Sequence, residues 1–381
     1  VSPCSFPPRR SIVAPLALAA LMVMIAATGR VVAAEPTQVD VFTAGREGYH
    51  TFRIPALLVT PSGTLLAICE GRKTSRSDHG DLDLVLKRSS DGGRTWGPLQ
   101  LIYEEGGEKK ITIGNPCPVY DKETDVIWLP FTRDNDDVFV TSSSDEGKTW
   151  TRPRNITADV KKDDWNWYAT GPGNAIQLTR GKYAGRLVIP CDHRVDGASN
   201  EWGHAGRSHV IYSDDHGKTW KLGGVTGFAM NECAVVELPD GSLKLNMRSY
   251  RGKGRRGVAI SRDGGQTWSE PVEDETLIEP VCQASFIRYS WADDGRNRVL
   301  FSNPASTKGR HHLTVRLSYD NGPTWPVSRV LYEPSSAYSS LAVLPFGKIG
   351  ILYERDDYKK ITFSQFDLDW LTRGKDKADG R

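Results

Sequence analysis

The chain has 381 residues, with 49 Lys and Arg against 47 Asp and Glu, for a net charge of +2. A balance this even leaves no electrostatic footprint for nucleic acid, so recognition by charge must be local. Hydrophobic residues are 38% of the chain, and 37 glycines bring the apolar class into the ordinary globular range, which excludes a disordered or fibrous protein.

The first predicted element is a leader. Arg9 and Arg10 precede an apolar run from Ile12 to about Ala27, and "VVAAEP" follows with small residues at Ala33 and Ala34. A charged start, an apolar stretch and a small-residue cleavage site predict a signal peptide over 1–34, cut after Ala34. The run contains Pro15 and, at about 16 residues, falls short of the roughly 20 that a spanning helix needs. No other segment is apolar enough to cross a bilayer. The expectation is a secreted or periplasmic protein whose mature chain carries no transmembrane anchor.

"YHTFRIPALLV" comes next, with Arg53 at the head of a predicted strand. An Arg between Phe52 and Ile54 is costly to bury without an anionic partner. It is either half of an internal salt bridge or a clamp for a ligand carboxylate or phosphate, which a planar guanidinium fits with two parallel bonds. Beyond it lie short runs rich in Val, Leu and Ile, such as "DLDLVLKRS", "DVIWLPFT", "GRLVIPC", "GSLKLNMRS", "RVLFSNP" and "HLTVRLS". They alternate and are bounded by Gly, Asp, Asn or Pro, as strands are. With no long amphipathic helix among them, the chain reads as all-β.

One octapeptide is written five times: "SSDGGRTW", "SSDEGKTW", "SDDHGKTW", "SRDGGQTW" and "SYDNGPTW", starting at Ser89, Ser143, Ser213, Ser261 and Ser318. Spacings of roughly 50–70 residues fit one small antiparallel sheet per repeat. The Asp at position 3 can accept hydrogen bonds from the following turn, the Gly at position 5 supplies a positive φ, and the Trp covers the neighbouring turn. A calcium loop would need more carboxylates than most copies offer. Repeats distribute residues around a ring, so these stretches are scaffold and the chemistry belongs to residues that occur once. Cys69, Cys117, Cys191, Cys233 and Cys282 are far apart, mostly in apolar stretches and without metal-ligand spacing. They read as buried thiols, with one disulfide an alternative. The end, 375–381, is expected to be a disordered tail.

"FRIP" followed by several such octapeptides, known as Asp-boxes, resembles the exo-α-sialidases (neuraminidases) of bacteria and animals, over residues from about 40 to 374. The resemblance implies a six-bladed β-propeller over 35–374, five boxes plus a last blade closed by both chain ends. It implies removal of terminal sialic acids from glycoproteins, glycolipids or oligosaccharides by a monomer without cofactor. It also makes Arg53, Arg248 and Arg310 three ligands of the sialic acid carboxylate. Arg248 follows Glu232 by sixteen residues, and Arg310 opens "GRHHLTVRLSYD"; Arg316, nearer the box, belongs to the strand. Asp78 in "SDHGD" matches the family's acid/base, with Asp81 and Asp83 as close rivals, and Arg72 in "EGR" lines the pocket beside it. Tyr338 matches the nucleophile and Glu354, sixteen residues on, the holder of Arg53; Tyr332 and Tyr353 are the rivals.

"NPCPVYD" and "WNWYATGPGNAIQL" resemble segments of the pocket rim. Within them Asn174 replaces a common His, and Trp165, Trp167 and Tyr168 are either packed aromatics or a wall for the sugar. His79, His311 and His312 border assigned residues, but one His per site indicates no metal cluster. A carboxylate at the anomeric carbon disfavours an anionic nucleophile, and a neutral Tyr avoids that repulsion; sialidases are the known Tyr-nucleophile exception among glycosidases. Asp78 must be protonated to act first, so either the optimum is mildly acidic or the pocket raises its pKa. The same residues leave room for a trans-sialidase, an intramolecular trans-sialidase, or a sialic-acid-binding propeller without catalysis.

Overall fold

The computed structural model describes residues 1–8, 34–107 and 109–378. Residues 9–33 of the expected leader therefore lie outside the described residues, and among the described residues no helix is long and apolar enough to cross a membrane. Every described strand lies beyond residue 36, and the architecture is all-β and propeller-like.

Among the described residues five antiparallel sheets follow one another, built mostly from strands that neighbour each other in sequence. The first holds Thr51–Val59, Leu65–Arg72, Leu82–Ser89 and Gln100–Tyr103. The second is built on Val126–Arg133 and Asp137–Ser143, the third on Leu187–Val195 and Gly206–Ser213, and the fourth on Met230–Glu237, Leu243–Ser249 and Arg255–Ser261. The last sheet has seven strands. Its 17-residue strand Val327–Val343 pairs through its first part with His311–Ser318 and through its second part with Ile349–Arg355. The chain's first strand, Thr37–Thr43, then pairs with its last, Lys360–Phe366, in the register Val39↔Phe363. That contact joins the two ends of the fold.

The sheets cover one another's faces, and burial follows. Leu65–Arg72 and Met230–Glu237 are buried at every position, as expected of strands packed on both sides. The strand Val272–Ile278, at a sheet edge, is largely exposed. The first strands of the sheets meet along a central axis through a few hydrogen bonds. Leu57 N donates to Ser340 Oγ at 3.0 Å, Gln283 Nε2 to Pro172 O at 3.2 Å and to Ser339 O at 3.0 Å, and Asn174 Nδ2 to Leu341 O at 3.0 Å. Asn174 is thus an internal tie between sheets rather than a rim residue. All five cysteines beyond residue 34 are buried free thiols.

The five Asp-boxes are one turn repeated. In the second copy Asp145 Oδ1 accepts from Thr149 N at 2.9 Å, and Oδ2 from Thr149 Oγ1 at 2.6 Å. Ser143 Oγ donates to Asp145 at 2.8 Å and accepts from Gly147 N at 2.8 Å. Asp91, Asp215, Asp263 and Asp320 make the same contacts. Gly217 has φ +79°, and a Cβ there would stand 2.1 Å from the Trp128 ring. That glycine is needed for conformation and for the approach of the neighbouring sheet. The box tryptophans reach further than a turn: Trp96 meets Phe363 edge-on at 5.5 Å, and Trp220 meets Trp128 at 6.5 Å.

Asp376 lies within the stretch expected to be a disordered tail, yet it is held by the fold. Asp376 is buried and accepts from Arg298 Nε and Nη2, each at 2.8 Å, and from Tyr319 Oη at 2.9 Å. An ion pair against the last sheet holds it in place. Residues 379–381 lie outside the described set.

Burial works to raise the Asp145 carboxyl, yet its hydrogen bonds hold it down to about 2. A lowered folded-state value contributes stability that is full above the unfolded value near 4 and is lost as pH falls toward 2. Asp145→Ala should cost about 1–2 kcal/mol in a denaturant melt at pH 7. That difference should shrink as the same melt is repeated below pH 4.

Candidate active site

Three β-bulges set the site. Between Arg53↔Glu70 and Ala56↔Ile68 the first strand carries one extra residue, and Ile54 there has φ +61°. A β-branched residue rarely adopts that conformation, and Pro55 after it disfavours it as well. The Glu354 carboxylate holds the bend by accepting Ile54 N at 2.9 Å. A second bulge lies between Met230↔Ser249 and Cys233↔Met247, and turns Glu232 toward Arg248 on the facing strand. A third lies between Ser336↔Arg355 and Ser339↔Tyr353, with Tyr338 on the bulge and Glu354 across from it. The two sixteen-residue spacings in the sequence are therefore hairpin partners. Bulges re-aim side chains at strand ends, and here they aim them at one point.

That point is the Tyr338 phenol. Its hydroxyl hydrogen-bonds Glu232 Oε1, and Arg248 Nη1 donates to it at 3.2 Å and to Glu232 Oε2 at 2.8 Å. The Arg53 guanidinium lies 5.4 Å and that of Arg310 5.6 Å from the centre of the Tyr338 ring. Three arginines from three parts of the chain thus surround one ring. Burial pushes the Tyr338 hydroxyl well above the ordinary tyrosine value, Glu232 adds to this, and Arg248 opposes it. The phenol is neutral at any physiological pH.

Glu354 is fully buried. It takes Arg53 Nε at 2.6 Å and Nη2 at 3.3 Å, and also accepts Tyr338 N at 3.1 Å. Arg310 has no carboxylate partner among the described residues; it donates to Val281 O and Tyr358 Oη, both at 3.2 Å. Tyr358 also lies under Arg53, 4.1 Å from ring centre to guanidinium.

Asp78 stands at the opening with its side chain 72% exposed. Arg72 Nη1 donates to it at 2.7 Å, and Arg53 Nη1 is 3.6 Å away. Burial acts to raise the Asp78 carboxyl, but Arg72 and then Arg53 hold it below the usual carboxylate range. Of the two expectations for this group, a pocket that raises its pKa is therefore not met in the free protein; two guanidinium groups outweigh desolvation. The rivals are engaged elsewhere. Asp81 faces Lys73 at 3.4 Å, and Asp83 accepts Tyr49 Oη at 2.6 Å. Tyr332 hydrogen-bonds Asp356, Tyr353 is buried in the core, and Arg316 donates to Asn303 at 3.2 Å.

Arg72, Asp78, Glu232, Arg248 and Tyr338 line a pocket of about 260 Å³ beside Trp167, Arg194 and Asn231, whereas Arg53 and Arg310 reach the Tyr338 ring without forming its wall. Trp165 and Tyr168 belong to the core instead: Trp165 stacks on His193 at 3.4 Å, and Tyr168 meets His209 edge-on at 4.9 Å. Several partners were not evident in the sequence. Glu70, in the "CEGR" run, receives Arg72 Nη2 at 2.7 Å and Asn115 N at 2.9 Å. Gly114 allows this, since a Cβ there would lie 2.3 Å from Glu70 Oε1. Tyr250 accepts Arg248 Nη2 at 2.6 Å, and the buried Asp192 receives the Asn231 amide. Glu70 and these partners depend on contacts between strands and sheets that the sequence alone does not display.

Residues 63–351 match the BNR repeat-like domain family. The chain is 38% identical to a sialidase of Micromonospora viridifaciens, over 96% of this chain and 60% of that one, so it spans well under two thirds of that relative. It is 31% identical to an exo-alpha-sialidase of Aspergillus fumigatus, covering 86% of each. Among solved structures, Hadza microbial sialidase Hz136 superposes with a TM-score of 0.79 at 32% identity, over 88% of this chain and 69% of that one. The geometry carries its own test: Glu354→Ala strands a buried Arg53 and should cost about 3–5 kcal/mol in a denaturant melt, with Glu354→Gln costing less. Repeats, bulged FRIP strand, arginine-ringed tyrosine and these likenesses agree, and the chain belongs to the sialidase family.

Proposed function

We propose that the protein is an exo-α-sialidase, hydrolysing terminal α-ketosidically linked sialic acids with retention through a covalent sialyl-Tyr338 intermediate. The observation that carries this reading is a neutral phenol hydrogen-bonded to a carboxylate at the centre of three guanidinium groups. A sugar with a carboxylate on its anomeric carbon is the substrate such a ring suits. Arg53, Arg248 and Arg310 fix the carboxylate and neutralise it. Arg310, lacking a protein carboxylate, is the natural first contact.

The phenol is too weak an acid to attack unaided, so Glu232 takes its proton as the bond to the anomeric carbon forms. Asp78, exposed at the opening, protonates the departing glycosidic oxygen and then draws a proton from the incoming water. Substrate binding assists: a carboxylate settling on Arg53 offsets one of the two charges that lower the Asp78 pKa. Glu354 and Glu70 hold Arg53 and Arg72 in place without touching substrate. The fold of this proposal has six blades. Its support is the long strand Val327–Val343, which serves two sheets in succession and lets the seven-stranded sheet count as two blades. Export by the leader over 1–34 would bring the enzyme to sialylated glycoconjugates outside the cytoplasm.

The pH dependence follows from Asp78. Its protonated form is the reactive one, and Arg72 and Arg53 hold its carboxyl below the usual carboxylate range in the free protein. On this limb kcat/KM, which reports the free enzyme, should fall as pH rises from mildly acid to neutral. Arg72→Gln removes a lowering charge and should shift that limb to higher pH; a profile flat from pH 4 to 9 would remove Asp78 from the acid role. Tyr338→Phe should lower kcat on a fluorogenic sialoside by on the order of 10³-fold or more, while free sialic acid still binds in calorimetry. Proton NMR of the first product should show free sialic acid with the anomeric configuration of the substrate; an anhydro sugar would instead favour intramolecular transfer.

A further inference from the structure

A second cavity, of about 370 Å³, opens at the opposite ends of the same first strands. Along Thr51–Val59 the site uses Arg53, and this cavity uses Leu57, Leu58 and Val59, about 13–20 Å further on. Its wall is apolar around Leu58, Ile176, Ile287 and Val343, with Tyr289 and Trp291 beside them. The volume is that of a small-molecule site.

The polar groups of this wall are almost all used within the protein. Glu237 accepts Thr179 N, Thr179 Oγ1 and Arg180 N, each at 2.8 Å. Gln177 bridges Asp121 at 2.7 Å and Lys122 N at 2.8 Å, and Asn174 ties Leu341 O to Ser285. Asp294 accepts Trp291 N at 3.4 Å. The cations are the exception. Arg288 gives Nη2 to Glu237 O at 2.6 Å and Nη1 to Asn297 Oδ1 at 2.5 Å, but its Nε is buried and without a partner. Among the described residues neither Arg288 nor Lys122 has a carboxylate within 4 Å, whereas Arg180 is paired with Asp293 at 2.7 Å. Both Arg288 and Arg180 lie against Trp291, at 4.3 and 4.2 Å from its ring centre. Burial pulls the Arg288 guanidinium down to about 10, Glu237 opposes this, and Arg180 adds to it, as for a cation short of a counter-charge. A half-buried cation without an ion-pair partner is costly unless something anionic offsets its charge.

We propose that this cavity is a second ligand site that takes a small amphipathic anion, a carboxylate or sulfonate on an apolar body, with the charge on Arg288 and Lys122 and the body against Leu58, Ile176 and Trp291. The site is separate from the arginine-ringed tyrosine and does not depend on the reaction assigned to it. Fluorescence titration with 8-anilinonaphthalene-1-sulfonate tests it. The wild-type chain should bind the probe saturably at one site, octanoate should displace it, and octylamine should not. Arg288→Gln should weaken binding at least tenfold. Because Arg288 also supports backbone, Leu58→Trp, which fills the mouth, provides a second variant and should abolish displaceable binding with an unchanged melting curve. Absence of saturable binding to the wild type, displacement by octylamine as well as octanoate, or unaltered binding in Leu58→Trp would overturn the proposal.

Discussion

One carboxylate holds the site to the ring. Glu354, fully buried, accepts from the side chain of Arg53 and the backbone of Ile54, both on the first sheet, and from the backbone of Tyr338 on the last. Desolvating that carboxylate is expensive, and a single arginine partner would barely offset the cost. Four donors satisfy it, and two of them are backbone groups at bulges that would otherwise be strained or unpaired. The first and last strands of the fold pair within that last sheet, so a local hydrogen-bond set and the closure of the fold lie on the same sheet.

From this anchor the chemistry of the pocket follows. Bulges bring Arg53, Glu232 and Tyr338 to the mouths of three strands, and hairpin partners Arg248 and Glu354 come with them. The charges are arranged so that Tyr338 stays neutral while a carboxylate contacts its oxygen. Asp78 is treated differently: it is left in solvent, tethered to Arg72, and free to exchange protons. The environments thus separate the two groups, which suits the distinct roles proposed for them. The five Asp-box turns contribute nothing at this mouth. They pin the far hairpins and let glycine and tryptophan bring neighbouring sheets together.

Much of this was legible in the chain. Five copies of one turn fixed a repeat of small sheets, and the turn's hydrogen bonds follow from its Asp, Gly and Ser. The spacing from Glu232 to Arg248 and from Tyr338 to Glu354 was visible as a number, but its meaning as two bulged hairpins needed the register. Glu70, Tyr250 and Tyr358 were missed because each acts on an arginine through a contact that depends on how strands and sheets meet. Asn174 was misplaced at the rim because a resemblance to a segment carries no information on which end of a strand a residue occupies. Trp165 and Trp167 sit two positions apart and part company: one enters the core and the other lines the pocket. The Asp78 pKa could not be read from sequence, since its direction depends on two guanidinium distances.

The central claim is that Tyr338, lodged among three arginines, forms the bond to the sugar. The most direct measurement is mass spectrometry of peptides after brief exposure to a sialosyl fluoride that carries a second fluorine at C3, which slows release of a covalent intermediate. The account predicts one sialyl adduct, on the peptide containing Tyr338 and fragmenting at that residue. An adduct on Glu232 or Asp78, or turnover of the reagent with none on Tyr338, would contradict it.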